Sequence, residues 1–293
     1  MLEWGLHPIG DDEAALYTVI DASNVVGLEE LLAQSGLDHR CLFVGAAFEE
    51  FRDKAPWLVR LEDHNRFTAQ LFSEGDAPWL LWHHEAHVFL RSASDLDDVW
   101  SHLRRILRFQ DHKGRWQMFR FWQQDFMRFC AEAMEHDLDA LNRFFGGGLV
   151  RVIFGVTPAG MGWHLANPAP TGTPALKAAE LGDVILPLAR RYSWHDFQIR
   201  LFTNLSTRYE GKAPEMKRAD VISASNAIRG QGYRKENAVA DMTEAALVAR
   251  HYKLPFDRLA HDADPDLQFA EATRAKRIKI AVNEAAAEFR YGQ

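Results

Sequence analysis

The pattern of hydrophobic and polar positions changes character near residue 167. Before it, short β-rich runs alternate with apolar positions at helical spacing; after it, the strand signals fade and the helical spacing remains. The run Leu16-Tyr17-Thr18-Val19-Ile20-Asp21 predicts a first strand. Ser23 or Asn24 then caps a helix with Leu28, Leu31 and Leu32 on its inner face, and Gly36 ends it. A second strand is expected over 41–44, a short helix at Phe48, Phe51 and Arg52, and a third strand over 57–61 after Pro56. Residues 65–72 read as helix, and 78–82 with 86–90 as two strands or one bent strand. Ser94 serves as N-cap of the clearest helix, with Asp95, Asp97 and Asp98 in its first turn. Leu96, Val99, Trp100, Leu103, Ile106 and Leu107 follow helical spacing behind them. The turn Asp111-His112-Lys113-Gly114 leads into a strand over 116–122. Helices follow around Phe126, Phe129 and Cys130 and around Leu138, Leu141 and Phe145, the latter ended by Gly146-Gly147-Gly148. Residues 149–156 and 161–165 predict a hairpin turning at Pro158-Ala159-Gly160.

Asn167 is followed by Pro168-Ala169-Pro170-Thr171-Gly172-Thr173-Pro174, which reads as a linker. Helices are expected over 194–209, 218–229, 236–252 and 267–289, the last with Ile278, Val282, Ala285 and Phe289 at core spacing. The expected architecture is an α/β (α+β) lobe over 1–167, with a mixed sheet covered by helices, a linker over 168–174, and a mostly α-helical lobe over 175–293.

Composition narrows the function classes. The 293 residues are 47% hydrophobic and 26% charged, as in a soluble globular protein of one large or two ordinary domains. The aromatic supply, 19 Phe and 9 Trp, serves cores and interfaces alike. A net charge of −7 argues against a nucleic-acid binder. The dense basic cluster Arg274, Lys276, Arg277 and Lys279 reads as a solvated helix face. Cys41 and Cys130 fit buried thiols in a reducing cytoplasm better than a disulfide. Met1-Leu2-Glu3-Trp4-Gly5 has neither the basic region nor the apolar run of a signal peptide, and no window reaches the ~18 apolar residues of a membrane span. A cytoplasmic location, with no membrane partner, is expected.

Candidate chemistry is sparse. His83, His84, Glu85 and His87 bring three imidazoles and a carboxylate together, but the spacing is not that of a helical zinc motif. On a strand, His83, Glu85 and His87 would share one face, and a metal-dependent hydrolase built on them is the alternative function. The preferred reading is a polar loop with no metal and no cofactor. Asp11, Asp12 and Glu13 read as a solvated acidic loop. Gly146-Gly147-Gly148 follows a helix where a phosphate cradle would precede one. No acid, base and nucleophile stand at a known spacing, so an enzyme is not expected. Arg104 and Arg105 suit either a partner contact or a salt bridge near a helix C-terminus. Arg120, between Phe119 and Phe121, is expected on the opposite face from both, paired to a carboxylate.

Six blocks of the chain resemble, in order, the adaptor chaperones that load toxic effectors onto the spike of the bacterial type VI secretion system. They are Tyr17-Thr18-Val19-Ile20-Asp21-Ala22, Arg40-Cys41-Leu42-Phe43-Val44-Gly45, Ala55-Pro56-Trp57-Leu58-Val59-Arg60-Leu61, His102-Leu103-Arg104-Arg105, Phe119-Arg120-Phe121-Trp122 and Phe144-Phe145-Gly146. The resemblance covers about 15–155. It departs where the family has Asp-Pro-Arg and this chain has Gln123-Gln124-Asp125. It implies a cytoplasmic, non-enzymatic protein that binds a cognate effector toxin, often its N-terminal region, and helps dock it to the spike protein VgrG. Cargo choice would fall to the helical lobe. Trp122, Phe126 and Met127, beside the departed motif, are the expected partner contacts, with Arg104 and Arg105 as a second set. A scaffold unconnected with secretion is a third reading.

Overall fold

The computed structural model describes residues 14–84, 87–134, 137–156, 162–167, 175–265 and 268–291. The chain forms two compact units, one ending at Arg190 and the other beginning at Arg191. The boundary falls inside a helix rather than in the expected linker, whose residues 168–174 lie outside the described ones, as do the expected turn at Pro158-Ala159-Gly160 and the acidic residues Asp11, Asp12 and Glu13.

The first unit is built on strands β1 (Ala15–Asp21), β2 (His39–Cys41), β3 (Pro56–Arg60), β4 (His87–Ser92), β5 (Arg108–Gln110), β6 (Trp116–Met118), β7 (Val152–Val156) and β8 (Gly162–Ala166). Six of them form one sheet in the order β2-β3-β1-β4-β7-β8, and β5 pairs with β6 in a separate ribbon. Every pairing in the six-stranded sheet is antiparallel, with Thr18 opposite Val59 and Phe89, and Phe89 opposite Phe154. Its helices are α1 (Leu28–Ser35), α2 (Ala46–Phe51), α3 (Arg66–Leu71), α4 (Leu96–Ile106), α5 (Gln124–Met134) and α6 (Leu138–Phe144).

Alternation along β1 divides the residues between two faces. Ile20, with Trp57, Val59 and Phe89 from neighbouring strands, packs under Leu28 and Leu32 of α1 and Phe67 and Leu71 of α3. Tyr17 and Val19 point to the opposite face, where the Tyr17 hydroxyl donates to the Ser94 carbonyl at 2.8 Å and β2 meets α4. Both faces are therefore buried, which explains why β1 reads as a nearly continuous apolar run.

Several expected boundaries move. Asp95, not Ser94, caps α4, because its carboxylate accepts the Asp98 amide at 2.9 Å while the Ser94 carbonyl is engaged by Tyr17. Residues 78–82 form no strand, and Trp82–His84 is a 3-10 turn. The strand expected over 116–122 stops at Met118, beyond which the chain turns inward. Gly27, not Ser23 or Asn24, precedes α1, and the short turn Ala22–Asn24 is capped by Asp21.

α7 (Ala178–Arg208) contributes its first turns to the first unit and the rest to the second. The second unit adds α8 (Arg218–Gly230), α9 (Glu236–Tyr252), α10 (Phe256–Ala263) and α11 (Glu271–Tyr291). Its core sets Phe197, Leu201 and Leu205 against Val239, Met242 and Val248, with Ile278 and Val282 completing it. Ala238, Ala245, Ala275 and Ala286 are all buried, and such small side chains let helices approach closely. Within this unit the basic cluster is solvated in part: Lys276 and Arg277 are exposed, while Arg274 and Lys279 are ion-paired. Arg274 pairs with buried Asp264 at 3.0 Å, the Arg277 Nε donates to the Ala263 carbonyl at 2.9 Å, and Lys279 pairs with Asp241. Asp241 of α9 and Asp264 after α10 thus pair two of the four cations locally.

Candidate functional site

Blocks one, three and five meet at a buried carboxylate, where β1 ends opposite Pro56 of β3. Asp21, at the end of β1, is 2% exposed. Its Oδ2 accepts from Arg120 Nη2 at 2.9 Å and from Trp122 Nε1 at 2.8 Å, partners 99 and 101 residues away. Its Oδ1 accepts from the Ser23 amide at 3.0 Å and the Ser23 hydroxyl at 2.6 Å. Four donors on one carboxylate satisfy the group and offset its desolvation. Arg120 thus has the carboxylate partner expected of it, while Phe119 and Phe121 point into the core.

The remaining blocks close around the same unit. Phe119 lies 5.8 Å from Phe126 and 6.0 Å from Phe144, ring centre to ring centre, in one buried aromatic cluster. Gly146 takes a left-handed φ of 67°, and a Cβ there would stand 2.9 Å from His102 Nδ1 on α4. β3 pairs with both β1 and β2. The residues that carry the resemblance are therefore mostly residues that hold the first unit together.

This placement changes the expected contacts. Trp122, Phe126 and Met127 are buried, Met127 completely, and offer no side-chain surface to a partner. Their aromatic and thioether groups fill the core because the chain turns inward after β6. Arg104 and Arg105, by contrast, stand at the surface end of α4. The guanidinium carbons of Arg40 and Arg104 lie 4.4 and 4.6 Å from the centre of the Trp100 ring. The Trp100 indole donates to the Cys41 carbonyl at 2.8 Å, which fixes the ring, and Arg40 is paired with Asp97. No carboxylate pairs with Arg104 or Arg105 among the described residues, so the salt-bridge alternative for them is not realised. The geometry is that of a fixed aromatic plate carrying cations toward solvent, a group suited to carboxylates and interfaces. Sequence reading named Arg104 and Arg105 but missed Arg40 and Trp100. Their i,i+4 relation (Trp100, Arg104) was visible; the partner strand was not.

The departed motif also acquires a physical meaning. α5 begins at Gln124, and the Gln123 carbonyl accepts the Met127 amide at 2.9 Å, so Gln123 is the N-cap and Gln124 the first helical residue. Asp and Pro are the residues favoured at those two positions, and Gln123 and Gln124 replace both preferences. The Gln124 side chain is buried, with neither amide atom hydrogen-bonded, over Gly155, where a Cβ would lie 2.7 Å from its Oε1.

The strand face that the alternative, metal-dependent reading needs does not form among the described residues. His83 lies in the 3-10 turn, Glu85 lies outside the described residues, and His87 opens β4 with a buried ring and both nitrogens unpartnered. Among the described residues no group of three or more His, Cys, Asp or Glu is placed to hold a metal ion. Burial raises the thiol pKa of Cys41 to about 11 and of Cys130 to about 12, so both stay protonated and are poor nucleophiles. A cleft of about 640 Å³ opens beside β1, β7 and β8, lined by Glu62, Asp63, Thr68, Arg91, Trp163 and His164. It offers mixed charge and hydrogen-bonding groups, with the Thr68 hydroxyl unpartnered. Among the described residues no helix is long and apolar enough to cross a membrane.

The two buried imidazoles make stability depend on pH. Burial pushes both His87 and His102 down to about 4, assisted by His84 and Arg105 respectively and opposed at His102 by its bond with Phe144. The folded state holds them neutral, whereas the unfolded chain takes up protons near 6.5. Their contribution is complete above about pH 6.5 and is lost as pH falls from there to about 4, at up to about 1.4 kcal/mol per pH unit for each. Urea melts across that range should show His87→Leu less acid-sensitive than the wild type. Separately, Gln123→Asp should stabilise the protein by about 0.5–2 kcal/mol by supplying the missing cap of α5, read as a rise in Tm at neutral pH.

The model of a family described as "Domain of unknown function (DUF4123)" matches residues 16–139, from β1 into α6. Searches of curated proteins and of solved structures find no match for the chain.

Proposed function

We propose that this protein is a non-enzymatic adaptor that binds a toxic effector in the cytoplasm and helps dock it to the spike of a type VI secretion system. The observation that carries the reading is the spatial convergence of the ordered blocks. Block one supplies Asp21, block five supplies Arg120 and Trp122, and blocks two and four meet at Arg40 and Arg104 over Trp100. Six similar segments that fold into one interlocked unit support a shared fold more strongly than six isolated matches. The family match over 16–139 spans five of the six. The surface at α4 supports a binding role, because Arg104 and Arg105, which have no carboxylate partner among the described residues, are available to an incoming one.

A standard protein interface buries ~800 Å² per partner around aromatic and arginine anchors. Trp100, Arg104 and Arg105 supply such anchors in the first unit. The helices of the second unit are the proposed place for cargo choice.

The test is co-purification of the protein with a candidate effector toxin from a neighbouring gene, combined with deletion of the adaptor gene. The expected outcome is a stable complex, and loss of toxin delivery on deletion. Unchanged delivery and toxin stability in an expressing strain would refute the adaptor reading.

A further inference from the structure

The β5–β6 ribbon stands out on exposure and charge together. All three residues of β6 are exposed, with Trp116 at 55% and Met118 at 48%. Pairing sets Arg108 opposite Met118 and Gln110 opposite Trp116, so these four share one face. Phe109, on the other face, is buried and anchors the ribbon. The Arg108 guanidinium lies 5.3 Å from the centre of the Trp116 ring.

The ribbon is held open in advance. The Asp111 carboxylate accepts the amides of Lys113 and Arg115, each at 2.9 Å, and the Asp111 carbonyl accepts the Gly114 amide at 2.8 Å. Gly114 takes the left-handed φ of 72° that the turn needs. The β5 edge is covered, since a Cβ on Gly182 of α7 would stand 1.9 Å from the Gln110 carbonyl oxygen. The β6 edge has no strand beside it among the described residues.

Charge identifies what would cover that edge. Residues 104–120 carry Arg104, Arg105, Arg108, Lys113, Arg115 and Arg120 against a single acid, Asp111, in a chain of net charge −7. Arg115 and Arg120 are paired with Asp111 and Asp21. Arg104, Arg105, Arg108 and Lys113 have no carboxylate partner among the described residues. An exposed strand edge flanked by an aromatic ring, a thioether and four uncompensated cations is complementary to an extended polypeptide bearing carboxylates and apolar side chains. Backbone pairing supplies affinity, and side chains alternating across the strand supply selectivity. A polyphosphate could satisfy the cations but not the strand edge, and the acidic remainder of the chain repels it.

We propose that the ribbon, together with the last turn of α4, docks an acidic extended segment of a partner protein by strand addition to β6. Only the identity of the partner, the effector, rests on the adaptor reading; the surface itself does not.

The experiment measures fluorescence anisotropy of two labelled probes with the full chain: a peptide of alternating Glu and Val, and an oligothymidylate of equal charge. Two double variants, Trp116→Ser with Met118→Ser and Arg105→Glu with Arg108→Glu, alter exposed side chains only, and circular dichroism verifies their fold. The proposal expects peptide binding that weakens at least tenfold in each double variant and with added salt, and weaker binding of the oligonucleotide. No peptide binding by the wild type, equal binding by the variants, or tighter oligonucleotide binding would overturn it. Toxin co-purification is scored separately, so loss of the ribbon proposal and loss of the adaptor reading are told apart.

Discussion

The carboxylate of Asp21 is the point on which the first unit depends. A buried charge is costly unless its lone pairs are met, and here Arg120, Trp122 and Ser23 meet them. Two of those donors come from a segment about a hundred residues downstream, after α4 and the ribbon. The bond therefore fixes the end of β1 against the inward turn that follows β6. That turn drives Phe119, Phe121 and Trp122 into the core and leaves β6 itself outside. Exposure of the ribbon and burial of the aromatic block are two consequences of one anchor.

This arrangement separates what identifies the fold from what is available to a partner. Trp122, Phe126 and Met127 belong to the core, whereas Arg40, Trp100, Arg104 and Arg108 present charge on aromatic supports at the surface. At the start of α5, Gln123 and Gln124 occupy positions where Asp and Pro are the favoured residues.

Elements with a strong local signal were legible in the sequence. α4 has an acidic first turn and an unbroken apolar stripe, and β1 and β3 are apolar runs long enough to stand alone as strands. The change from sheet to helices was legible for the same reason. The first half of α7 was not, because Pro187 argues against a helix interior, although Leu181, Ile185 and Leu188 keep helical spacing. The ribbon and the Arg40–Trp100 contact were illegible because each depends on pairing between segments distant in sequence. The Arg120–carboxylate pair was anticipated in kind, but nothing local points to Asp21 as its partner. Burial of Trp122 was missed because alternation was extended past Met118, where the chain ceases to be a strand.

The most direct test of the anchor is a double-mutant cycle on unfolding free energy, using Asp21→Ala, Trp122→Phe and the pair of substitutions together. Each single change leaves the other group without a partner it has in the native fold, so the two effects should not add. The account predicts a coupling energy of at least about 1 kcal/mol. Additive effects, with coupling inside the ~0.3–0.5 kcal/mol scatter of independent sites, would contradict the claim that this contact holds the unit together.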